Sequence, residues 1–238
     1  MPVIQQLNLA LKAHGKTVTW LFIACLFIGS ISVSKGLTIS PTVLEMSISS
    51  RSSAQIRLEN HNTFSIPIEA SLRRLTFDAD GSYDAMETDG SELMVFPPAV
   101  VLPAGGIQIF RIQWLGNDTL PTSQSYFVRF TQPPIESNMS DSPSGVAIEI
   151  HYNALVHLST RSQSARLSLD VSDDGVTTLS NHGSRYTFLS RIRFLQSPNI
   201  RIDKPENVFG EHFVPPHSTI KLSTPSEIHS GHYDSEAR

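Results

Sequence analysis

The sequence predicts an all-β protein built from sandwiches of antiparallel sheets. From Gly36 onward, apolar and polar residues alternate in short runs with the period of two that is typical of strands. Turn residues separate these runs, and almost no segment has the period of an amphipathic helix. Of the 238 residues, 39% are hydrophobic, which is a globular composition. The net charge is −4, and Lys and Arg are scattered, so we do not expect nucleic acid as a partner.

The N-terminal segment, residues 1–34, is predicted to be a signal peptide. Lys12 and Lys16 precede the apolar run VTWLFIACLFIGSISVS, which ends in small residues before Lys35. A membrane anchor is the alternative, although a spanning helix needs roughly 18 or more apolar residues. The only cysteine, Cys25, lies in this segment. The mature chain is therefore expected to contain no disulfide and to depend on apolar burial for stability.

Residues 35–160 are predicted to form the first domain. Its candidate strands are 37–48, 53–60, 66–77, 92–97, 107–115 and 125–132. Turn chemistry is present in ADGSYD at 79–84 and in LPAGG at 102–106. The aromatic and apolar residues that alternate in the last two strands, among them Trp114 and Tyr126, are expected to face the core.

The strand pattern restarts on a smaller scale after Thr160. We predict a second, smaller β domain at 161–225, with the segment RSQS at 161–164 as a hinge. Residues 226–238 have little apolar periodicity and are predicted to be a flexible tail. The sequence contains no internal repeat of fixed period.

The longest alternating run, GVAIEIHYNALVHLST at 145–160, is about twice the length of a common strand. Its even positions, from Val146 to Leu158, are all apolar or aromatic. A sandwich of ordinary thickness buries about three or four residues from one strand, so the remaining apolar residues are expected to be exposed. An exposed apolar edge is credible as a binding surface. The alternative is that all seven apolar residues serve a larger core or a contact between domains.

Catalytic and metal-binding patterns are not found. The sequence has no glycine-rich phosphate loop and no nucleophile elbow. His151 and His157 share a strand face but are about 20 Å apart, which is too far for one metal ion. Asp78, Asp80 and Asp84 flank a turn and are explained by local hydrogen bonding in a hairpin. We therefore expect no enzymatic activity, no metal and no cofactor.

The order of several motifs resembles that of the periplasmic chaperones of the chaperone–usher pilus pathway. The motifs are TISPTVLEM, RLENHNTFSIPIEASL (57–72), FPPAVVLPAGGIQIFRIQWLG (96–116), SYFVRFTQPP (125–134), the long strand, LSNHGSRYTFLSRIRF (179–194) and FVPPHSTIKL (213–222). The resemblance covers nearly the whole mature chain. It implies two immunoglobulin-like β-sandwich domains in a boomerang arrangement, a periplasmic location and no catalysis.

In this family, the chaperone lends its long strand to a pilin subunit that lacks its own last strand, until an outer-membrane usher receives the subunit. Strand addition of this kind combines backbone hydrogen bonds with side chains that fill pockets of the partner. The resemblance implies these subunit-binding residues: Val146, Ile148, Ile150, Tyr152 and Ala154. The expected partners are pilin or fimbrial subunits and the usher, and the exposed strand is also expected to allow self-association.

The chain departs from the family at the positions that commonly hold a basic pair for the subunit's terminal carboxylate. These positions fall near Val43 and at Leu155, neither of which is basic. Another function class is a fimbrial subunit or adhesin built on a similar sandwich. A subunit is expected to carry a detachable N-terminal donor segment, whereas here the long strand ends the first of two domains. A third class is an enzyme or sugar-binding module on a β-sandwich, because fold does not fix function.

Overall fold

The protein is described here by a computed structural model that covers residues 36–48, 52–134, 148–197, 200–223 and 228–237. The predicted signal peptide lies outside these residues. Residues Leu37–Arg238 form one compact unit, which contains two β-sandwich domains. Within the ranges given, no helix is long and apolar enough to cross a membrane.

Two sheets make the first domain. The first sheet has the order β1-β3-β8-β6, from β1 (Leu37–Ser40), β3 (Ser53–Asn60), β8 (Ile107–Trp114) and β6 (Leu93–Phe96). The second has the order β2-β10-β9-β4-β5, from β2 (Val43–Ser47), β10 (Ile150–Ser159), β9 (Gln124–Gln132), β4 (Ile66–Phe77) and β5 (Tyr83–Glu87), with β7 (Ala99–Leu102) also paired to β4. Alternate side chains of both sheets meet in one core that includes Ile56, Leu58, Phe110, Trp114, Tyr126, Val128 and Phe130. This confirms the inward placement predicted for Trp114 and Tyr126.

The predicted strands agree with the structure where alternation is regular. Those at 53–60 and 66–77 coincide with β3 and β4. The run predicted as one strand at 37–48 is instead two strands, because β1 pairs with β3 while β2 pairs with β10 in the other sheet. Pro41, which has no amide donor for a ladder, lies where the chain changes sheet.

The second domain is a six-stranded sheet with a two-stranded sheet beside it. The larger sheet has the order β15-β14-β18-β11-β12-β17, from β15 (Ile200–Ile202), β14 (Ile192–Ser197), β18 (Gly231–Ala237), β11 (Leu167–Val171), β12 (Val176–Asn181) and β17 (Thr219–Ser223). The smaller sheet pairs β13 (Thr187–Phe188) with β16 (Phe213–Val214), and a 3-10 helix (Leu189–Arg191) and helix α1 (Pro205–Phe209) complete the domain. Leu169, Leu179, Leu189, Phe194 and Val214 are fully buried between these elements.

The flexible tail predicted at 226–238 is wrong for Gly231–Ala237. This segment is β18, which lies between β11 and β14 and pairs antiparallel with both. Tyr233 is buried in the core of the second domain, and its hydroxyl donates to the carbonyl of His229 at 2.8 Å. One inward aromatic residue and two neighbouring strands fix a segment whose own apolar pattern is weak.

Asn60, the last residue of β3, ties together two loops of the first domain. Its Nδ2 lies 2.9–3.1 Å from the carbonyl oxygens of Phe64, Leu102 and Pro103. Its Oδ1 accepts from the backbone N–H of Asn62 at 2.9 Å. The side chain is fully buried, and its hydrogen bond to the Leu102 carbonyl is buried as well, so Asn60 satisfies a backbone group that solvent does not reach.

Asn181, the last residue of β12, makes the same set of contacts in the second domain. Its Nδ2 lies 2.9–3.3 Å from the carbonyl oxygens of Arg185, Val214 and Pro215. Its Oδ1 accepts from the N–H of Gly183 at 2.9 Å. The sequence offsets of the local partners, four and two residues after the asparagine, are identical in the two domains. The structure thus reveals a repeated feature that has no fixed period in the sequence.

Backbone contacts connect the two domains within the compact unit. The N–H of Ser123 donates to the carbonyl of Ser184 at 2.9 Å, and the N–H of Tyr186 donates to the Ser123 Oγ at 2.9 Å. The tip of the hairpin between β4 and β5 also reaches the second domain, where the N–H of Thr219 donates to the carbonyl of Ala79 at 2.6 Å. The junction is therefore fixed at more than one point.

Candidate functional site

Strand β10 has two halves with different neighbours. Residues 155–159 lie between β9 and β2, which runs parallel to β10. Residues 150–154 pair with β9 alone in the part of the chain that the structure describes. An unpaired strand edge of this kind is a template for pairing with another chain.

Backbone groups on this open edge can be assigned from the register. The N–H of Leu155 donates to the carbonyl of Thr42 at 2.8 Å, and the carbonyl of Ser159 accepts from the N–H of Ile48 at 2.8 Å. Successive residues of a strand direct their backbone groups to alternate sides. The N–H and C=O groups of His151 and Asn153 therefore point away from β9, toward the open edge.

The even positions from Val146 to Leu158 form an apolar stripe. The inner end of this stripe belongs to the first domain's own core. Ala154, Val156 and Leu158 are fully buried there. This confirms that the core uses about three residues of the strand. The prediction that Ala154 binds a subunit is not supported, because its side chain already packs within this chain.

The outer end of the stripe lies largely in solvent. Ile148 is 67% exposed and Ile150 is 38% exposed, whereas Tyr152 is partly buried against the first core. Val146 lies outside the described residues. The alternative in which all seven apolar residues serve the core or a contact between domains is wrong for Ile148 and Ile150.

On the opposite face of the sheet, the two positions that the resemblance singles out are direct neighbours. Val43 and Leu155 are paired across β2 and β10, and the same row continues to Phe127 on β9 and Arg73 on β4. Val43 is 47% exposed. The Arg73 guanidinium donates to the carbonyl of Ala85 at 2.8 and 3.3 Å, which holds the charge away from Val43. The three residues of this row that lie nearest to the open edge, Val43, Leu155 and Phe127, are therefore all apolar.

His157 lies one position farther along this face and is fully buried between the domains. Its ring stacks on Phe213 with centroids 4.8 Å apart, and the centroid of Tyr186 lies 4.4 Å away. Its Nδ1 is 2.7 Å from the Ser125 Oγ, and its Nε2 has no partner among the described residues. Burial lowers the pKa of His157 to about 4, the main opposing effect being the charge of Glu45. The sequence alone indicates this histidine only as a metal candidate, because its aromatic neighbours are distant in sequence.

An ion pair spans the same junction. The Arg191 guanidinium donates to both carboxylate oxygens of Glu45 on β2, with NH1 and Oε2 3.0 Å apart. This hydrogen bonding lowers the pKa of Glu45 and raises that of Arg191. Each charge is thus neutralised by the other at the junction of the domains.

Other candidates for chemistry have local structural roles. Asp80 accepts from the N–H and the hydroxyl of Ser82 at 3.0 and 2.6 Å, as expected for a hairpin turn. His232 lies beside Asp170 at 2.5 Å and Asp234 at 3.4 Å on the exposed face of β18. Among the residues described, no group of three or more His, Cys, Asp or Glu side chains is arranged to hold a metal ion.

The fold of this chain is similar to the folds of fimbrial chaperones among the solved structures. No protein-family model and no curated protein sequence matches the chain. A chain of a chaperone–tip adhesin complex vital for synergistic activation of CFA/I fimbriae biogenesis matches with a TM-score of 0.58 and 16% identity, over 85% of this chain and 98% of that one. The class 5 fimbriae chaperone CfaA matches with a TM-score of 0.55 and 17% identity, over 85% and 99%.

A third similar structure is the CsuC–CsuE chaperone–tip adhesion subunit pre-assembly complex of the archaic chaperone–usher Csu pili of Acinetobacter baumannii. One of its chains matches with a TM-score of 0.53 and 15% identity, over 79% of this chain and 90% of that one. These likenesses extend over both domains of the present chain. The protein therefore has the two-domain β-sandwich fold of the chaperones that take part in fimbria assembly.

Proposed function

We propose that this chain is a periplasmic chaperone that binds pilin or fimbrial subunits by adding β10 to their incomplete sandwiches and delivers them to an outer-membrane usher. The observation that carries the proposal is the open edge of β10 at residues 150–154, with Ile148 and Ile150 exposed beside it. The fold similarity to fimbrial chaperones supports it. On this proposal the predicted signal peptide directs the chain to the periplasm.

Strand addition uses both sets of groups on this edge. The backbone N–H and C=O groups of His151 and Asn153 pair with a strand of the subunit, while Ile148, Ile150 and Tyr152 enter its groove. Val146, outside the described residues, is proposed as a further donor. The chaperone role needs no catalysis, because binding energy alone protects the subunit from aggregation.

An affinity pull-down from the native periplasm tests the proposal with the mature chain and an Ile148→Asp, Ile150→Asp variant. Burial of one isoleucine stabilises a complex by roughly 1.5–3 kcal/mol, so the double substitution is expected to weaken binding by about 100-fold or more. Mass spectrometry of the captured proteins should therefore find small secreted β subunits with the wild type and not with the variant.

The matched control is Val101→Asp. Val101 is 67% exposed, as Ile148 is, but lies on β7. This control should retain the subunits, and circular dichroism should show that all three proteins are folded. Equal recovery by the wild type and the double variant, or recovery of no subunit by any of them, would contradict strand addition through Ile148 and Ile150.

A further inference from the structure

The open edge of β10 has a fixed inner limit. Leu155 pairs with Val43, and the carbonyl of Thr42 already accepts the Leu155 N–H, so β2 fills the edge from this position onward. A strand that adds beside residues 150–154 must therefore end or turn away at Val43. An added strand that runs parallel to β10 would place its C-terminus at Val43, and an antiparallel strand would place its N-terminus there.

An apolar surface lies at this limit. Val43, Leu155 and Phe127 occupy one cross-strand row, so their side chains share a face of the sheet. The ring of Tyr83 meets Phe127 edge-on, with centroids 5.9 Å apart. Val43 and Tyr83 are 47% and 54% exposed, and Leu155 and Phe127 are partly buried. We call these four residues the end pocket.

Two charged groups near the end pocket have partners of their own. Arg73 donates to the carbonyl of Ala85 and lies 3.7 Å from Glu87, and Glu45 is neutralised by Arg191. A terminal charge buried on Val43 and Leu155 would lose water without gaining a counter-ion from these groups or from another described residue of the row, which is unfavourable. An apolar side chain in the same place gains from burial.

One arginine lies a single row farther out. Arg129 is paired with Asn153 across β9 and β10, and its Nε donates to the Asn153 Oδ1 at 3.2 Å. It lies beside the middle of the open edge rather than at its inner limit. A carboxylate at the end of an added strand would have to fold back by one row to reach it.

We propose that the end pocket binds an apolar side chain from the terminal part of the partner's added strand, and that this side chain, rather than a terminal charge, fixes the position of the strand. The inference rests on the proposed function, since it requires a strand at the open edge. It identifies the partner class as strands that end in a large apolar residue.

Synthetic ten-residue peptides test the pocket directly. Each peptide alternates Thr with Val and has either Phe or Ser at its N-terminus or at its C-terminus. Every peptide is made once with free termini and once with blocked termini. Binding to the mature chain is followed by fluorescence polarisation. The terminal Phe→Ser change is expected to weaken binding at least tenfold, whereas amidation or acetylation should change it less than threefold. Val43→Ser should weaken the Phe-ended peptides at least fivefold and leave the Ser-ended ones unchanged, and Val101→Ser is the control.

Two other outcomes separate the possible failures. Loss of binding on blocking a terminus, with little effect of Phe→Ser, would overturn the inference, and an Arg129→Gln variant would then show whether that arginine holds the charge. Absence of binding by every peptide, or binding that Ile150→Asp leaves unchanged, would overturn the proposed function and the inference together.

Discussion

Asn60 and Asn181 show how much stability single buried amides carry in this protein. Each side chain serves two loops through backbone carbonyls and is at most 2% exposed. Loss of such an amide leaves buried carbonyl groups without a donor, which costs about 1–3 kcal/mol for each group.

We expect Asn60→Ala and Asn181→Ala each to lower the free energy of unfolding by about 2–4 kcal/mol. Asn153→Ala, at an exposed asparagine on β10, should change it by less than about 0.5 kcal/mol. Urea denaturation followed by tryptophan fluorescence and circular dichroism measures all three. A loss below about 1 kcal/mol in both core variants would show that water replaces the amide in these loops.

His157 is a second residue whose environment sets a measurable property. Its pKa falls from 6.5 to about 4 on folding, because the buried ring cannot be hydrated when charged. The folded state therefore favours the neutral form. The stabilisation of the folded state by the neutral His157 ring is fully present above about pH 6.5. It is lost as the pH falls toward 4, by about 3 kcal/mol in total.

A His157→Gln variant should have a flatter stability profile than the wild type between pH 7.5 and pH 4.5. Glu45 and Arg191 face the same junction, and the lowered pKa of Glu45 adds a loss of stability at still lower pH in both proteins. The difference between the two proteins in the slope of unfolding free energy against pH gives the contribution of His157. Parallel profiles would mean that the ring is hydrated or can be protonated without opening the junction.

At the scale of elements, β10 is one strand with two roles. Its alternation over 145–160 predicted both a core segment and a surplus, and the structure confirms this division for the residues it describes. The division point was not predictable. It depends on β2, which begins at Val43 and covers only the inner half of the edge, and that pairing joins segments more than 100 residues apart.

A proline at position 153 tests the backbone of the open edge in subunit binding without changing the pairing of β10 with β9. The Asn153 N–H points to the open side and has no acceptor among the described residues, so Asn153→Pro removes a donor that this part of the fold does not use, as edge strands tolerate. We expect binding of a subunit to weaken at least tenfold with a change in unfolding free energy below about 1 kcal/mol. Asn153→Ala controls for loss of the side chain, and Tyr152→Pro, whose N–H faces β9, should instead destabilise the sheet by about 3 kcal/mol. Unchanged binding by Asn153→Pro would exclude backbone pairing at this edge.

Other elements show where local sequence patterns are insufficient. The bounds of β3 and β4 follow from regular alternation within each strand. Strand β18 has only Tyr233 in the core, and its place between β11 and β14 is determined by those neighbours. Local sequence patterns also could not predict the end pocket, because Tyr83 and Phe127 come into contact only when β4, β5 and β9 pair.

At the scale of the whole molecule, the order of motifs predicted the fold better than any single motif did. Identity to the similar structures is only 15–17%, yet the likeness extends over both domains. The basic pair that the resemblance implies at Val43 and Leu155 is absent, so in this molecule the shared architecture carries apolar side chains beside its open edge. Functional chemistry depends on a few side chains and diverges more readily than a core.

The open edge of β10 also predicts that the free chain self-associates. Sedimentation velocity should show self-association of the free mature chain that increases with concentration, since Ile148 and Ile150 lie beside unpaired backbone groups. The Ile148→Asp, Ile150→Asp variant should remain monomeric over the same range. A monomeric wild type throughout would show that exposure of these residues is tolerated without a partner.

The paired asparagine motifs have a consequence for the independence of the two domains. Each domain closes its own loops with one asparagine, at the same offsets and next to a Leu-Pro or Val-Pro pair, and each asparagine bonds only to carbonyls of its own domain in the hydrogen bonds described above. Loop closure in one sandwich therefore does not depend on contacts with the other. The first domain can present the open edge of β10 to a partner while its loops stay closed by Asn60.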